Sequence, residues 1–403
     1  MSTSRTDRTV SPIPKRSLLV TAVAVLLIAA NLRLGVTSAS ALLDLLTEQG
    51  ALTPATAVLV PSLPTVMFAV SGLGAASLAR RIGTDRTVSL GLSLLAAGLA
   101  ARSIALPPLV LGGTVLATAG LSTVNVLLPV VVRERFHARV RAVTTGYTTA
   151  MALGSALAAA VSVPLADALG SASLGLGVWA LPALLALLAW SGARGGAQVP
   201  RAGDAPTGTG VGRVLASPGA LTMTFYFALQ SLIGYVVMGW LPTIAQDAGI
   251  SPVRAGALLG IVLAVGVPTT LAVVPATGTP RRLRIGITVL SLAGAGGAAG
   301  MLLAPTTAPE AWAVLLGIGM TGFPLALALV ASLGRTSDET ARISAVAQSV
   351  GYAVATVGPL GAGVLHRLTG DWALALISLA TCSVVQGLVG LRLSGAVPTR
   401  PGR

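Results

Sequence analysis

Arg33 lies deep inside an apolar run that begins near residue 18. A guanidinium keeps its proton, and its flat fork of donors matches planar or bidentate oxyanions. About fifteen residues of helix rise roughly 22 Å, which sets Arg33 somewhat beyond the middle of a hydrocarbon layer ~30 Å thick. A cation at that depth costs a few kcal/mol on insertion scales, so a lipid-facing position is hard to sustain. Two roles stay open. Arg33 attracts an anionic or electron-rich polar solute within a central cavity, or it snorkels outward and pairs with Asp44 or another acid at the outer end.

The other polar residues within apolar runs are amides and phenols. Asn31 and Asn125 carry donors and acceptors that need partners, whether a solute or a neighbouring helix. Asn31 is two positions from Arg33, so the two cannot point the same way on a regular helix. Gln348 and Tyr352 are four apart and share a helix face, as do Tyr226 and Gln230. Tyr235 follows on the same run as Tyr226, and Tyr147 occupies the position equivalent to Tyr352 in the other half of the chain. Together these residues suit an uncharged hydrogen-bonding cavity around one fixed positive charge. The structural alternative for each is bonding between helices, often worth under about 1 kcal/mol.

Other chemistries find no support. No Asp or Glu lies clearly inside an apolar run: Asp44, Asp167, Asp247 and Glu310 fall at outer ends, and Glu134, Asp338 and Glu339 at inner ones. Proton relays normally use an intramembrane carboxylate or histidine, so antiport driven by a deep carboxylate is disfavoured. Coupling through Asp44, His366 or a protonated solute stays open. His366 reads as an interfacial residue and His137 as a loop residue. With one cysteine, Cys382, and two histidines there is no disulfide and no metal cage, and no cofactor is expected. Lys15 is the only lysine, so a phosphate-binding Gly-Lys-Ser/Thr loop is missing and an ATP-driven pump is excluded. A membrane enzyme would need clustered acids, histidines or a metal motif at one face.

The elements that must position these residues follow from composition. Of 403 residues, 54% are hydrophobic and 9% charged, and the mean hydropathy is +0.87. A soluble domain carries roughly a quarter charged residues. A polytopic membrane protein remains, with helices as its spans, because each peptide group in lipid must find its partner inside its own segment. Twelve apolar segments are expected, at about 18–41, 54–77, 87–105, 109–132, 142–165 and 171–190, then 219–243, 253–275, 285–304, 311–333, 343–365 and 372–391.

Basic residues orient the chain. With the N-terminus inside, 22 of the 26 fall on the inner side, in clusters such as Arg80-Arg81, Arg133 to Arg141 and Arg281 to Arg284. Only Arg102, Arg254 and Arg367 fall outside. That asymmetry places both termini in the cytoplasm. The net charge of +14 suits anionic lipid and not nucleic acid, since no basic patch carries interleaved aromatics. Arginine almost without lysine suggests a GC-rich bacterium, and hence a bacterial cytoplasmic membrane.

The halves echo one another at an offset near 200. Thr53-Pro54 matches Ser251-Pro252, Arg80-Arg81 matches Arg281-Arg282, Gly146-Tyr147 matches Gly351-Tyr352, and Gly170 matches Gly370. The expected organisation is a tail (1–17), a six-helix bundle (18–190), a flexible linker (191–217), a second bundle (218–391) and a tail (392–403). An even number of spans per repeat gives a parallel repeat, the layout of a transporter that rocks around a midplane site.

Ala29-Ala30-Asn31-Leu32-Arg33, Asn125-Val126-Leu127-Leu128-Pro129, Gln230-Ser231-Leu232 with Trp240-Leu241-Pro242, and Ala347-Gln348-Ser349-Val350-Gly351-Tyr352 resemble the cyanate and nitroimidazole permease-like branch of the major facilitator superfamily. The resemblance implies two six-helix bundles and a monomer that moves a small anion or polar organic solute by alternating access. Efflux of nitroaromatic compounds is an alternative, and a transport-inactive sensor a more distant one. There are departures. The superfamily's loop after span two usually reads Gly-x-Leu-Ala-Asp-Arg, whereas here Ala76 replaces the glycine and Arg80 the aspartate. Leu34 follows Asn-Leu-Arg where branch members often have proline. Fluorescent-protein fusions at either chain end are expected to fluoresce, and alkaline phosphatase fusions at either end to be inactive. Opposite behaviour of the two ends would overturn the topology.

Overall fold

The computed structural model describes residues 15–136, 139–193, 218–273, 279–333 and 337–394. His137, nearly all of the linker and most of both tails lie outside the described residues. No strand occurs among the described residues.

The first half begins with α1 (Lys15–Ala41) and a short α2 (Leu43–Glu48). Next comes α3 (Pro54–Ala57), then a 3₁₀ turn over Val60–Ser62 and α4 (Leu63–Ile82). Thr53 caps α3: its hydroxyl accepts from the Thr56 amide, and the Thr56 hydroxyl accepts from the Thr53 amide. The half continues with α5 (Thr84–Ala101), α6 (Pro107–Phe136), α7 (Val140–Leu169), α8 (Ala172–Gly177) and α9 (Ala180–Ala193). The second half holds α10 (Pro218–Asp247), α11 (Pro252–Val273), α12 (Pro280–Leu303), α13 (Pro309–Met320), α14 (Gly322–Leu333), α15 (Ser337–Ala355), α16 (Val357–Thr369) and α17 (Ala373–Ser394).

Each of the twelve apolar segments read from the sequence falls on one helix or on two consecutive ones. Among the described residues, nine helical stretches are long and apolar enough to cross a membrane. The other segments are α3–α4, α5 and α15–α16. Proline and a 3₁₀ turn break the first, Asp85 and Arg86 begin the second, and the third starts with Ser337-Asp338-Glu339 and breaks at Thr356. The punctuation shared by the halves has a local cause. Pro54 and Pro252 stand first in their helices, where a missing N–H costs nothing. Gly170 and Gly370 end α7 and α16 with φ of 63° and 78°, a left-handed conformation that favours glycine.

α1, α4, α5, α6, α7 and α9 pack chiefly on one another, as do α10, α12, α13, α15 and α17. Backbone closeness makes this possible. A Cβ on Gly98 of α5 would collide with the backbone of Gly113 and Ala117 on α6. In α12, Gly296 has room, while Gly297 and Gly300 press against α13 through Leu316 and the Trp312 ring.

Taking the start of α1 as the near face, the two groups meet from mid-depth to the far face. Gly239 touches Pro61, Gly363 touches Val58, and Gly256 and Gly260 of α11 lie on the carbonyls of Ala159 and Ala156 of α7. At the near face, Asp85 and not residue 80 carries an ion pair: Arg135 binds it at 2.5 Å and covers the Trp190 ring at 4.6 Å. Arg102, read as an outer loop residue, is only 1% exposed and donates to the Gly35 carbonyl at 3.0 Å.

Overpacking typically costs about 1–3 kcal/mol. Gly98→Val is expected to lower the midpoint of thermal unfolding in detergent clearly, while Gly112→Ala, where a Cβ meets open space, leaves it unchanged.

Candidate functional site

α1 carries Arg33 toward α10 and α14. Its Nη1 lies 3.9 Å from the Met238 sulfur, and its guanidinium stands 5.7 Å from the centre of the Phe323 ring. The side chain is half-buried, and no carboxylate lies within ion-pair range among the described residues. Asp44 accepts instead from the Thr243 hydroxyl at 3.2 Å, so the Arg33–Asp44 pairing is not the arrangement found.

Beside Arg33 the two groups bring aromatic rings together. Phe68 of α4 stacks on Tyr352 of α15 with centroids 5.1 Å apart. Tyr235 of α10 stands 6.3 Å from Phe68 and 6.2 Å from Tyr352. Phe227 meets Tyr352 edge-on at 5.4 Å and Phe323 at 5.5 Å. Both phenols lie within electrostatic reach of Arg33. The result is a cation over the Phe323 ring, whose face attracts positive charge, with a packed cluster of four further rings behind it.

Arg33, Tyr235 and Tyr352 are therefore assembled in one place. Other sequence candidates are not. Asn31 points away, donating to the carbonyls of Leu27 at 2.8 Å and Pro182 at 3.1 Å, which ties α1 to α9. Tyr226 is buried against Gln386 and Gly390 of α17. Gln230 donates to the Met320 carbonyl at 3.2 Å and accepts from Gln386 at 2.5 Å. Helix geometry explains the split, because nine residues at 100° each set Tyr226 and Tyr235 on opposite sides of α10. Gln348 is half-buried and donates to Ser344 one turn back at 2.8 Å. Asn125 and Tyr147 are half-buried, and Asn125 has no hydrogen-bond partner among the described residues.

Sequence reasoning missed Phe68, Phe227, Phe323 and Met238. A signal existed: the chain has five phenylalanines and four tyrosines, and five of these nine residues converge here. Among the described residues, no group of three His, Cys, Asp or Glu side chains is placed to hold a metal.

A family model described as Major Facilitator Superfamily matches residues 21–359. The chain belongs to the major facilitator superfamily. It is a multi-pass membrane transporter and not an enzyme. Its branch is that of two curated relatives. A 2-nitroimidazole transporter of Escherichia coli (strain K12) is 33% identical over 376 residues, 91% of this chain and 93% of the relative. The cyanate transport protein CynX of the same organism is 29% identical over 269 residues, 66% of this chain and 68% of the relative. Among solved structures, the nucleoside transporter NupG superposes with a TM-score of 0.73 at 14% identity, covering 93% of this chain and 99% of that one, which supports the fold.

Gln230→Ala would strip Gln386 of its acceptor in a buried setting, a loss of about 1–3 kcal/mol. It is expected to lower the thermal midpoint in detergent, whereas Tyr352→Phe, which keeps every ring contact, leaves it within error.

Proposed function

We propose that this transporter moves a small, planar anion or nitro-bearing polar solute by alternating access, with Arg33 as its central cationic contact. The observation that carries the reading is the guanidinium's surroundings: mid-depth, half-buried, without a carboxylate in ion-pair range among the described residues, and over the Phe323 ring from the other half of the chain. A charge partly withdrawn from water and without a counter-ion is less well solvated than in water. A solute that supplies the missing negative charge recovers that loss on binding. The fork suits carboxylate-like groups, and the nitro group has the same flat two-oxygen outline. Phe323, half-buried beside Arg33, adds a face on which a planar solute stacks. The relatives' named solutes, cyanate and 2-nitroimidazole, share a compact polar or anionic character and fall within this class.

In this reading all twelve segments cross a bacterial cytoplasmic membrane, with both termini inside. Residues 18–190 and 218–391 form the two bundles, joined by the 191–217 linker, and 1–17 and 392–403 are tails. The far-face contacts form the closed outer gate, and the cavity around Arg33 communicates with the cytoplasm. Tyr235 and Tyr352 form the wall opposite Arg33. Gln348, Asn125 and Tyr147, each half-buried, are the remaining candidates for solute contact. Asn31, Tyr226 and Gln230 act through packing.

Reconstituted liposome flux tests the assignment. Arg33→Ala and Arg33→Lys are expected to abolish uptake of whichever of a panel of small anions and nitroheterocycles the parent moves. Normal membrane insertion and thermal stability of both variants would confine the loss to transport. Unchanged flux in Arg33→Ala would remove the anion site.

A further inference from the structure

The far-face ends of α2 and α10 meet through a carboxylate that has no cation within ion-pair range among the described residues. Asp44, in the first turn of α2, accepts from the Thr243 hydroxyl of α10 at 3.2 Å through Oδ1. Its Oδ2 is shut away from solvent and has no hydrogen-bond partner. The ionisable groups that face it are Glu48 on its own helix, Asp247 on α10 and His366 on α16. Asp247 is already engaged: Trp372 donates to its Oδ2 at 2.7 Å, and His366 Nε2 stands 3.6 Å from the same oxygen. His366 lies flat on Trp372, with centroids 4.1 Å apart. The cluster therefore spans both halves of the chain, and its net balance around Asp44 is acidic.

We propose that Asp44 is a proton-binding site built into the closed far-face junction, so that taking up a proton there stabilises closure and losing it favours opening. The reasons are geometric. Closing the junction strips water from a carboxylate and offers it one hydroxyl in return. The neutral acid loses far less by that exchange than the anion does. Parting the helices would return Asp44 to water and to the ordinary carboxylate range.

Electrostatics sets the direction. Burial is the main cause that lifts the Asp44 carboxyl from 3.8 to about 6, and Asp247 and Glu48 add to it. The Thr243 bond and His366 act the other way. The closed junction thus binds a proton more tightly than the open one. Closure gains as pH falls through about 6 and gains no more once pH is below about 4, where both states are protonated. Between pH 7 and pH 5 the closed-to-open ratio is expected to rise about tenfold. No solute is needed for this step, so it stands apart from the role of Arg33.

Spin labels at Ala55→Cys and Leu368→Cys, both exposed and on opposite sides of the junction, report its width in a Cys382→Ala background. Full-length protein in lipid nanodiscs is frozen at a series of pH values, and pulsed dipolar spectroscopy gives the short- and long-distance populations. The parent is expected to gain short-distance population with a transition near pH 6. Asp44→Asn is expected to remain closed at every pH, and His366→Gln to keep the transition. Thr243→Val, which removes the donor that favours the carboxylate, is expected to move the transition to higher pH and provides the decision if Asp44→Asn fails to fold. A parent whose populations ignore pH would overturn the proposal. So would a transition that survives Asp44→Asn, vanishes in His366→Gln, or does not move in Thr243→Val.

Discussion

An unpaired guanidinium at mid-depth is the constraint around which the rest is arranged. Arg33 cannot shed its proton and has no acid within reach among the described residues, so its surroundings must tolerate a permanent charge. They do so with soft partners: a thioether sulfur, a ring face, and two phenols within its field. None of these neutralises the charge. A carboxylate in the same place would satisfy Arg33 and leave nothing for a solute to supply. On the proposed function a solute supplies that missing counter-charge, in keeping with the view that polar groups within membranes mark function.

Polar groups elsewhere in the interior follow the opposite rule. Asn31, Gln230, Gln386 and Tyr226 hold helices to one another, and many buried threonines and serines, Thr114 and Thr118 among them, donate back to a carbonyl three or four residues earlier. Such bonds matter because water is missing as an alternative partner. Packing adds the second constraint. Lipid tails are as apolar as leucine, so helix association relies on close fit, and glycines such as Gly98 and Gly256 let backbones approach within van der Waals contact. The halves touch at their far-face portions through such small-residue contacts, Gly239 on Pro61 and Gly256 on the Ala159 carbonyl, and through the hydrogen bond from Thr243 to Asp44.

The helical segments, the shared proline and glycine punctuation and the unusual character of Arg33 were legible in the sequence. Each is a local property: apolar run length, a proline at a helix start, a glycine with positive φ, a charge amid apolar neighbours. Site composition was only half legible. Helical spacing brings Tyr226 and Gln230 to one face, yet spacing alone does not say which face turns toward Arg33. Tyr235, half a turn out of phase with Tyr226, took that place. The aromatic cluster has no local signature, because phenylalanine in a membrane helix looks like filler until three distant ones converge.

By itself, the sequence determined that the chain must be a bundle of membrane helices and that one cation must lie within it, since run length and the cost of unpaired peptide groups allow no other solution. Tertiary structure alone decided which polar side chains face the cation and which bind their neighbours. It also decided that Asp85, and not residue 80, carries the near-face ion pair, and that Asp44 meets Thr243. These outcomes depend on the rotation of each helix about its axis and on which helices lie side by side. Contacts between helices set both, across 50 positions for Asp85 and Arg135 and 199 for Asp44 and Thr243, and no local pattern encodes them.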